Sequence, residues 1–174
     1  DIFLFGAEAD SLENVNLSGL TDANDFSSPD GMWFDPRGVL WVQTDDSSYT
    51  DETNCMMLAA LPGQIGDGQV TTALSGTATQ QTPAGAVLND TKLRRFLTGP
   101  SGCEITGVTM TPDYKAIFVN VQHPGGVWPS NHPSNLNSSK GIGTRPRSAT
   151  VVITRIDGKE IAGESLEKVE TPKT

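Results

Sequence analysis

Asp30 and Glu104 are the side chains of this sequence whose types and spacing could hold a metal ion, with Asp45 or Asp46 as weaker candidates and His123 as a further one. Carboxylates are the ligands that hard cations need. Asp30 stands just before the apolar run Met32-Trp33-Phe34, and Asp45-Asp46 follow soon after the run Val39-Leu40-Trp41-Val42. If the two runs form one antiparallel hairpin, its open end brings these three carboxylates to a single rim. Adjacent strand residues point to opposite faces, so at most one of Asp45 and Asp46 can face such a site. Glu104, directly before Ile105, holds nearly the place of Asp30 in a second, similar stretch. His123 follows that stretch as Asp45-Asp46 follow the first. The plainer alternative is that Asp30 caps the Pro29-Asp30-Gly31 turn and that Glu104 is an exposed loop acid. His132 shares a long loop with His123 but has no ligand-like spacing to it. Arg94, Arg95, Arg145 and Arg147 could hold an anion, although charges that flank strands are usually solvated.

The elements that must position these groups are short strands joined by proline turns. Asp35-Pro36-Arg37-Gly38 separates the first two apolar runs. Proline presets φ at the second turn position, and glycine tolerates the left-handed exit of a tight hairpin. Apolar residues occupy both parities of this hairpin, Met32, Phe34, Leu40 and Val42 on one and Trp33 and Trp41 on the other, which predicts cover on both faces. The pattern returns as a strand over 105–110, the turn Thr111-Pro112-Asp113-Tyr114, and a strand over 115–121. Pro36 and Pro112 are 76 residues apart, and Gly31 and Gly107 fall at matching places before them. Setting aside an excursion of roughly 30 residues leaves about 45 per repeat, the length of one four-stranded propeller blade. That excursion, 62–90, is rich in Gly, Thr, Gln and Ala and offers little to a core; a loose hairpin is the most structure it suggests. Further strands are expected over 2–5, 54–61, 92–97 and 149–156, with a short helix as the alternative for the Met- and Leu-containing 54–61. Residues 6–28 read as loop with one helical turn near Leu20-Thr21-Asp22, and 163–174 as a polar tail.

The fold class is therefore all-β, antiparallel meander blades of a β-propeller, about two blades within one domain over 1–174. The 174 residues suffice for a core, and 18 Gly with 11 Pro suit a turn-rich fold. A net charge of −9 argues against nucleic acid as a partner. Residues 1–52 hold 12 of the 21 acids and one base, Arg37, a local charge of −11, while the remainder carries +2. That imbalance suits either a solvated acidic surface or a cation site. No apolar run approaches a membrane span, and no stretch of these residues reads as a signal peptide. The opening Asp1-Ile2-Phe3-Leu4-Phe5-Gly6 reads as mid-strand, as in a piece of something longer. Cys55 and Cys103 could form one disulfide, but both stand in or beside strand-like segments, which favours small buried thiols.

Several motifs in order give a family resemblance. Ser28-Pro29-Asp30-Gly31-Met32-Trp33-Phe34-Asp35-Pro36-Arg37-Gly38 and the stretch Arg94-Arg95-Phe96-Leu97-Thr98-Gly99-Pro100-Ser101-Gly102-Cys103-Glu104-Ile105-Thr106-Gly107 resemble the C-terminal part of PhoX-type alkaline phosphatases. Leu20-Thr21-Asp22-Ala23-Asn24-Asp25-Phe26, Thr111-Pro112-Asp113 and Phe118-Val119-Asn120-Val121-Gln122-His123-Pro124-Gly125 match as well. The resemblance implies a periplasmic or secreted β-propeller, exported by the twin-arginine route, that hydrolyses phosphate monoesters with ferric iron and calcium in its channel. Carried over by motif, Asp30 and Glu104 are its metal ligands in this chain. The sequence departs from the family at the 62–90 excursion, where a tight turn is usual. It also holds about two blades where the family closes a ring, so the N-terminal blades with the other ligands and the phosphate contacts are implied partners. Alone, the chain is then expected to be catalytically inactive.

A calcium-dependent lactonase-like or esterase-like propeller uses a similar Pro-Asp-Gly hairpin, and a non-catalytic propeller scaffold is a third reading, because fold alone does not fix function. Blades cut from a ring expose edges and apolar faces, which predicts association of this chain, most simply as a homodimer.

Overall fold

The computed structural model describes residues 2–45, 54–62, 70–83, 92–124 and 148–163. Nine strands are named among them: β1 (Pro29–Phe34), β2 (Leu40–Thr44), β3 (Met56–Ala60), β4 (Val70–Ser75), β5 (Ala78–Pro83), β6 (Leu93–Thr98), β7 (Glu104–Met110), β8 (Ala116–Gln122) and β9 (Ala149–Thr154). Every pairing is antiparallel. The first sheet runs β1-β2-β3-β6 and the other large sheet β7-β8-β9, as two successive propeller blades; β4 and β5 form a hairpin between them in sequence.

Both proline turns close hairpins. In the first, Asp35 N donates to Val39 O at 2.9 Å and Gly38 N to Asp35 O at 2.9 Å, with Gly38 at φ 89. The Asp35 carboxylate, fully buried, accepts from the Arg37 and Val39 amides and from the Arg37 guanidinium. In the second, Tyr114 N donates to Thr111 O and takes the left-handed conformation (φ 57) that Gly38 takes in the first. The strand over 54–61 is real rather than helical, because β2 and β6 flank it and supply its backbone partners.

The blades meet through β1, β2 and β3 against β7. The seam is apolar: Trp41 and Met57 from the first sheet pack with Ile105, Ile117, Val119 and Val121 of the second. Trp41 also meets the Phe96 ring edge-on at 4.9 Å. Truncating a fully buried tryptophan costs about 3–5 kcal/mol, so Trp41 is a principal support of the seam. A second cluster covers the other face, where Ala7, Leu20 and Phe26 pack on Leu40, Val42, Met56 and Leu58. Arg95 binds this N-terminal segment to the sheet through the Asp25 carboxylate and the Asp22 and Asp25 carbonyls. Far from the rim, Arg37 ties the blades together: it donates to Ile161 O at 2.8 Å and lies 4.4 Å over the Tyr114 ring.

Two expectations need correction. The hairpin is not covered on both faces throughout: Leu40 and Val42 are buried, but their register partners Phe34 and Met32 are 53% and 76% exposed. Segment 2–28 packs on Leu40 and Val42 of β2, Met56, Leu58 and Ala60 of β3, and Leu93 of β6. Residues 2–5 do not form a strand. Phe5 N donates to a side chain, Ser18 Oγ, instead of a ladder, and Ala7 and Phe26 make a lone bridge. The loose hairpin expected within 62–90 is present as β4–β5, whose two-residue turn starts at Gly76 with φ 60. The expected turn near Leu20 is present: Asn24 N and Asp25 N both donate to Thr21 O. Cys55 and Cys103 are thiols buried in the seam cluster, with no disulfide between them.

Candidate metal centre

The open ends of the two hairpins lie together, and three side chains meet there. Asp45 leaves the end of β2, where its amide donates to Ser28 O at 3.1 Å and holds the chain against the start of β1. Glu104 opens β7 opposite Gln122 of β8. His123 follows β8 directly, with its amide donating to Ser148 Oγ at 2.9 Å. One ligand atom from each of Asp45, Glu104 and His123 lies within 4.8 Å of the other two. The Glu104 side chain is mostly covered, whereas Asp45 and His123 face solvent.

The backbone at His123 is unusual. Its φ is 34, in the left-handed region, and the next residue is the buried Pro124. Proline disfavours compact conformations in the residue before it, and a non-glycine residue held at positive φ costs on the order of 1 kcal/mol or more. The His123 amide is held there by its hydrogen bond to Ser148 Oγ, at the end of β8. The imidazole Nε2 lies 3.3 Å from Glu104 Oε2.

Asp30 is at the same end of the hairpin, since Pro29 pairs with Thr44. It occupies the bulge between Pro29 and Gly31, is exposed, and is not a member of the three-residue group. Asp46, His132, Arg145 and Arg147 lie outside the described residues. Arg95 is committed to the N-terminal segment, as above. The Cys103 thiol beside Glu104 is buried, and that burial, followed by the neighbouring Cys55, lifts its pKa from 9.0 to about 12.

The donors themselves suit hard and intermediate cations. Carboxylate oxygens serve calcium, and imidazole with carboxylate serves iron. Sequence reasoning placed Asp45 and His123 behind Asp30. The signal that favours them is positional: each follows the second strand of its hairpin, and those are the ends that converge. It missed Gln43 altogether. This side chain is 2% exposed and donates from Nε2 to Gly107 O of the other blade at 3.2 Å.

The family profile described as "Alkaline phosphatase PhoX" matches residues 1–125. Among solved structures, the chain is similar to one described as "Pseudomonas fluorescens PhoX in complex with vanadate, a transition state analogue", with 35% sequence identity and a TM-score of 0.52. The match covers 79% of this chain and 19% of that one, so the chain spans about a fifth of the length of that relative. No curated protein matches significantly. Among the described residues, no helix is long and apolar enough to cross a membrane. With the family profile spanning well over half its residues, the chain belongs to the PhoX alkaline phosphatase family.

Proposed function

We propose that this chain is the C-terminal part of a periplasmic or secreted, metal-dependent phosphatase that hydrolyses phosphate monoesters. The observation that carries the proposal is the meeting of Asp45, Glu104 and His123 at one rim, from two different sheets, in a chain of this family. Asp30 and Glu104 are the proposed metal ligands, and Asp45 and His123 extend the donor set around Glu104. Calcium and ferric iron are the proposed cofactors. Calcium takes about six to eight oxygens, more than this group offers, so the remaining blades supply the other ligands and the phosphate contacts. The bound cations would provide Lewis-acid stabilisation of charge on the phosphoryl oxygens in an in-line displacement.

The chain's own residues have simpler tasks. Glu104 presents a mostly covered carboxylate from the start of a strand, where backbone pairing limits its movement. The His123 backbone, tied to Ser148, aims the imidazole at that carboxylate. Without the other blades the donor set is partial, bound cations stay largely hydrated, and the 174-residue chain hydrolyses nothing.

Hydrolysis of p-nitrophenyl phosphate with calcium and ferric iron supplied tests the proposal. It should be absent for this chain and present for a longer polypeptide carrying the remaining blades. In that longer protein, Glu104→Gln should lower kcat/KM by about a hundredfold, a loss in the range seen when a metal shell is disturbed. A metal-loaded longer protein without phosphatase activity, or one indifferent to both Glu104→Gln and Asp30→Asn, would overturn it.

A further inference from the structure

The two parts of the rim group belong to different blades: Asp45 to the first, Glu104 and His123 to the second. Their separation therefore depends on how the blades are set against each other at this end of the seam. Apolar packing fills the middle of the seam, and Arg37 ties its far end. Near the rim, among the described residues, Gln43 Nε2 donates across the seam to Gly107 O. Gln43 is two residues from Asp45, and Gly107 is three from Glu104.

The amide is gripped from both sides. Gly31 is the register partner of Gln43, and a Cβ at Gly31 would come within 2.9 Å of Gln43 Oε1. Gly107 sits at the bulge of β7 with φ 57, which turns its carbonyl out of the ladder and makes it available. Asn120 provides an internal comparison, because it stands in the second sheet where Gln43 stands in the first. Its Nδ2 lies 2.6 Å from where a Gly107 Cβ would be, and its Oδ1 accepts from the Thr150 hydroxyl at 2.7 Å. The shorter amide stays within its own sheet, whereas the additional methylene of Gln43 lets it cross to the next blade. A buried amide also requires a partner, so it favours one inter-blade setting over others that apolar side chains would tolerate.

We infer that Gln43 is the positioning residue of the candidate centre, fixing the distance between Asp45 and the Glu104–His123 pair; the inference rests on the metal-site reading above. It touches no ligand atom and acts through the registry of the two blades. Mn²⁺, an oxygen-preferring cation detectable by electron paramagnetic resonance, is the probe. Gln43→Met keeps the length of the side chain and removes its donor. It should weaken Mn²⁺ binding to this chain at least about tenfold, the range expected when a metal site loses its orientation. Its crystal structure should show Asp45 moved away from Glu104 and His123. Val151→Ala thins the same seam from β9; it should lower the melting temperature and leave Mn²⁺ affinity within about twofold, a separation that a merely structural role for Gln43 would not produce.

An unchanged affinity in Gln43→Met, with the three ligand atoms still within 4.8 Å of one another, would overturn the inference. If the unsubstituted chain binds no Mn²⁺, the three side chains do not hold a cation without the remaining blades, and the variant's crystal structure alone decides whether Gln43 sets the rim. Should Gln43→Met not fold, Gln43→Asn, an amide too short to cross, takes its place. Failure of both to fold would also overturn the inference, since the amide would then support the whole fold and not the rim.

Discussion

Glu104 and His123 stand at opposite ends of a strand pair in sequence and within 3.3 Å of each other in space. β7 and β8 are antiparallel, so the residue that opens one and the residue that follows the other share an end. If that pair belongs to a cation site, replacing either member should weaken binding in the same assay. Glu104→Ala and His123→Ala should each reduce Mn²⁺ affinity by about tenfold or more, and His132→Ala should not. Titration of the three variants checks this directly.

Gly99 has no room for a side chain. A Cβ there would collide with Cys103 Sγ and lie 2.7 Å from Ile105 Cδ1 and 3.2 Å from Cys55 O. Gly99 N also donates to Cys55 O at 2.8 Å, so the backbone cannot simply withdraw. Gly99→Ala should destabilise the chain by about 1–3 kcal/mol through overpacking, measured as a lower urea midpoint with an unchanged slope.

The buried Cys103 thiol makes stability fall in alkali. Its folded pKa of about 12 lies above the ordinary 9.0, so the folded chain holds this proton more tightly than the unfolded chain does. The unfolded thiol ionises first, and stability present below pH 9 declines as pH climbs towards 12. Cys103→Ala should flatten that decline between pH 9 and 10.5 relative to the unsubstituted chain. Denaturation at a series of pH values provides the test, and an equally steep loss in both proteins would refute it.

Met32 and Phe34 on one blade, and Phe118 and Val152 on the other, are large apolar side chains left in solvent. Surface of this kind promotes association. Light scattering over a range of concentrations should show dimers or larger species, and Met32→Ser with Phe34→Ser should shift the chain towards monomer. A monomer at every concentration would mean that these faces are tolerated in water.

Much of this architecture was legible in the sequence because the repeat is carried by turns. Pro36 with Gly38, and Pro112 two residues before Tyr114, fix where the strands reverse, and strand positions follow from there. Cover was less legible than position. Met32 and Leu40 look alike in the sequence, yet only Leu40 is reached by the segment that contains Phe26. The rim was legible in part. Glu104 could be marked from its place before a strand, and His123 joins it through the β7–β8 pairing, but Asp45 reaches them only through the relative setting of two blades. Gln43 carried no local signal at all, because the carbonyl that it meets lies 64 residues away.

The Arg37 contact with Tyr114 bears on how the chain unfolds. Arg37 belongs to the turn of one blade and Tyr114 to the turn of the next, and the same guanidinium engages the buried Asp35. Neither turn can melt without removing a partner from the other. Propeller blades are often pictured as modules added one at a time, each contributing its own increment of stability. Here the linked turns should couple the two sheets, and hydrogen exchange from β2 and from β8 is expected to follow a single opening event.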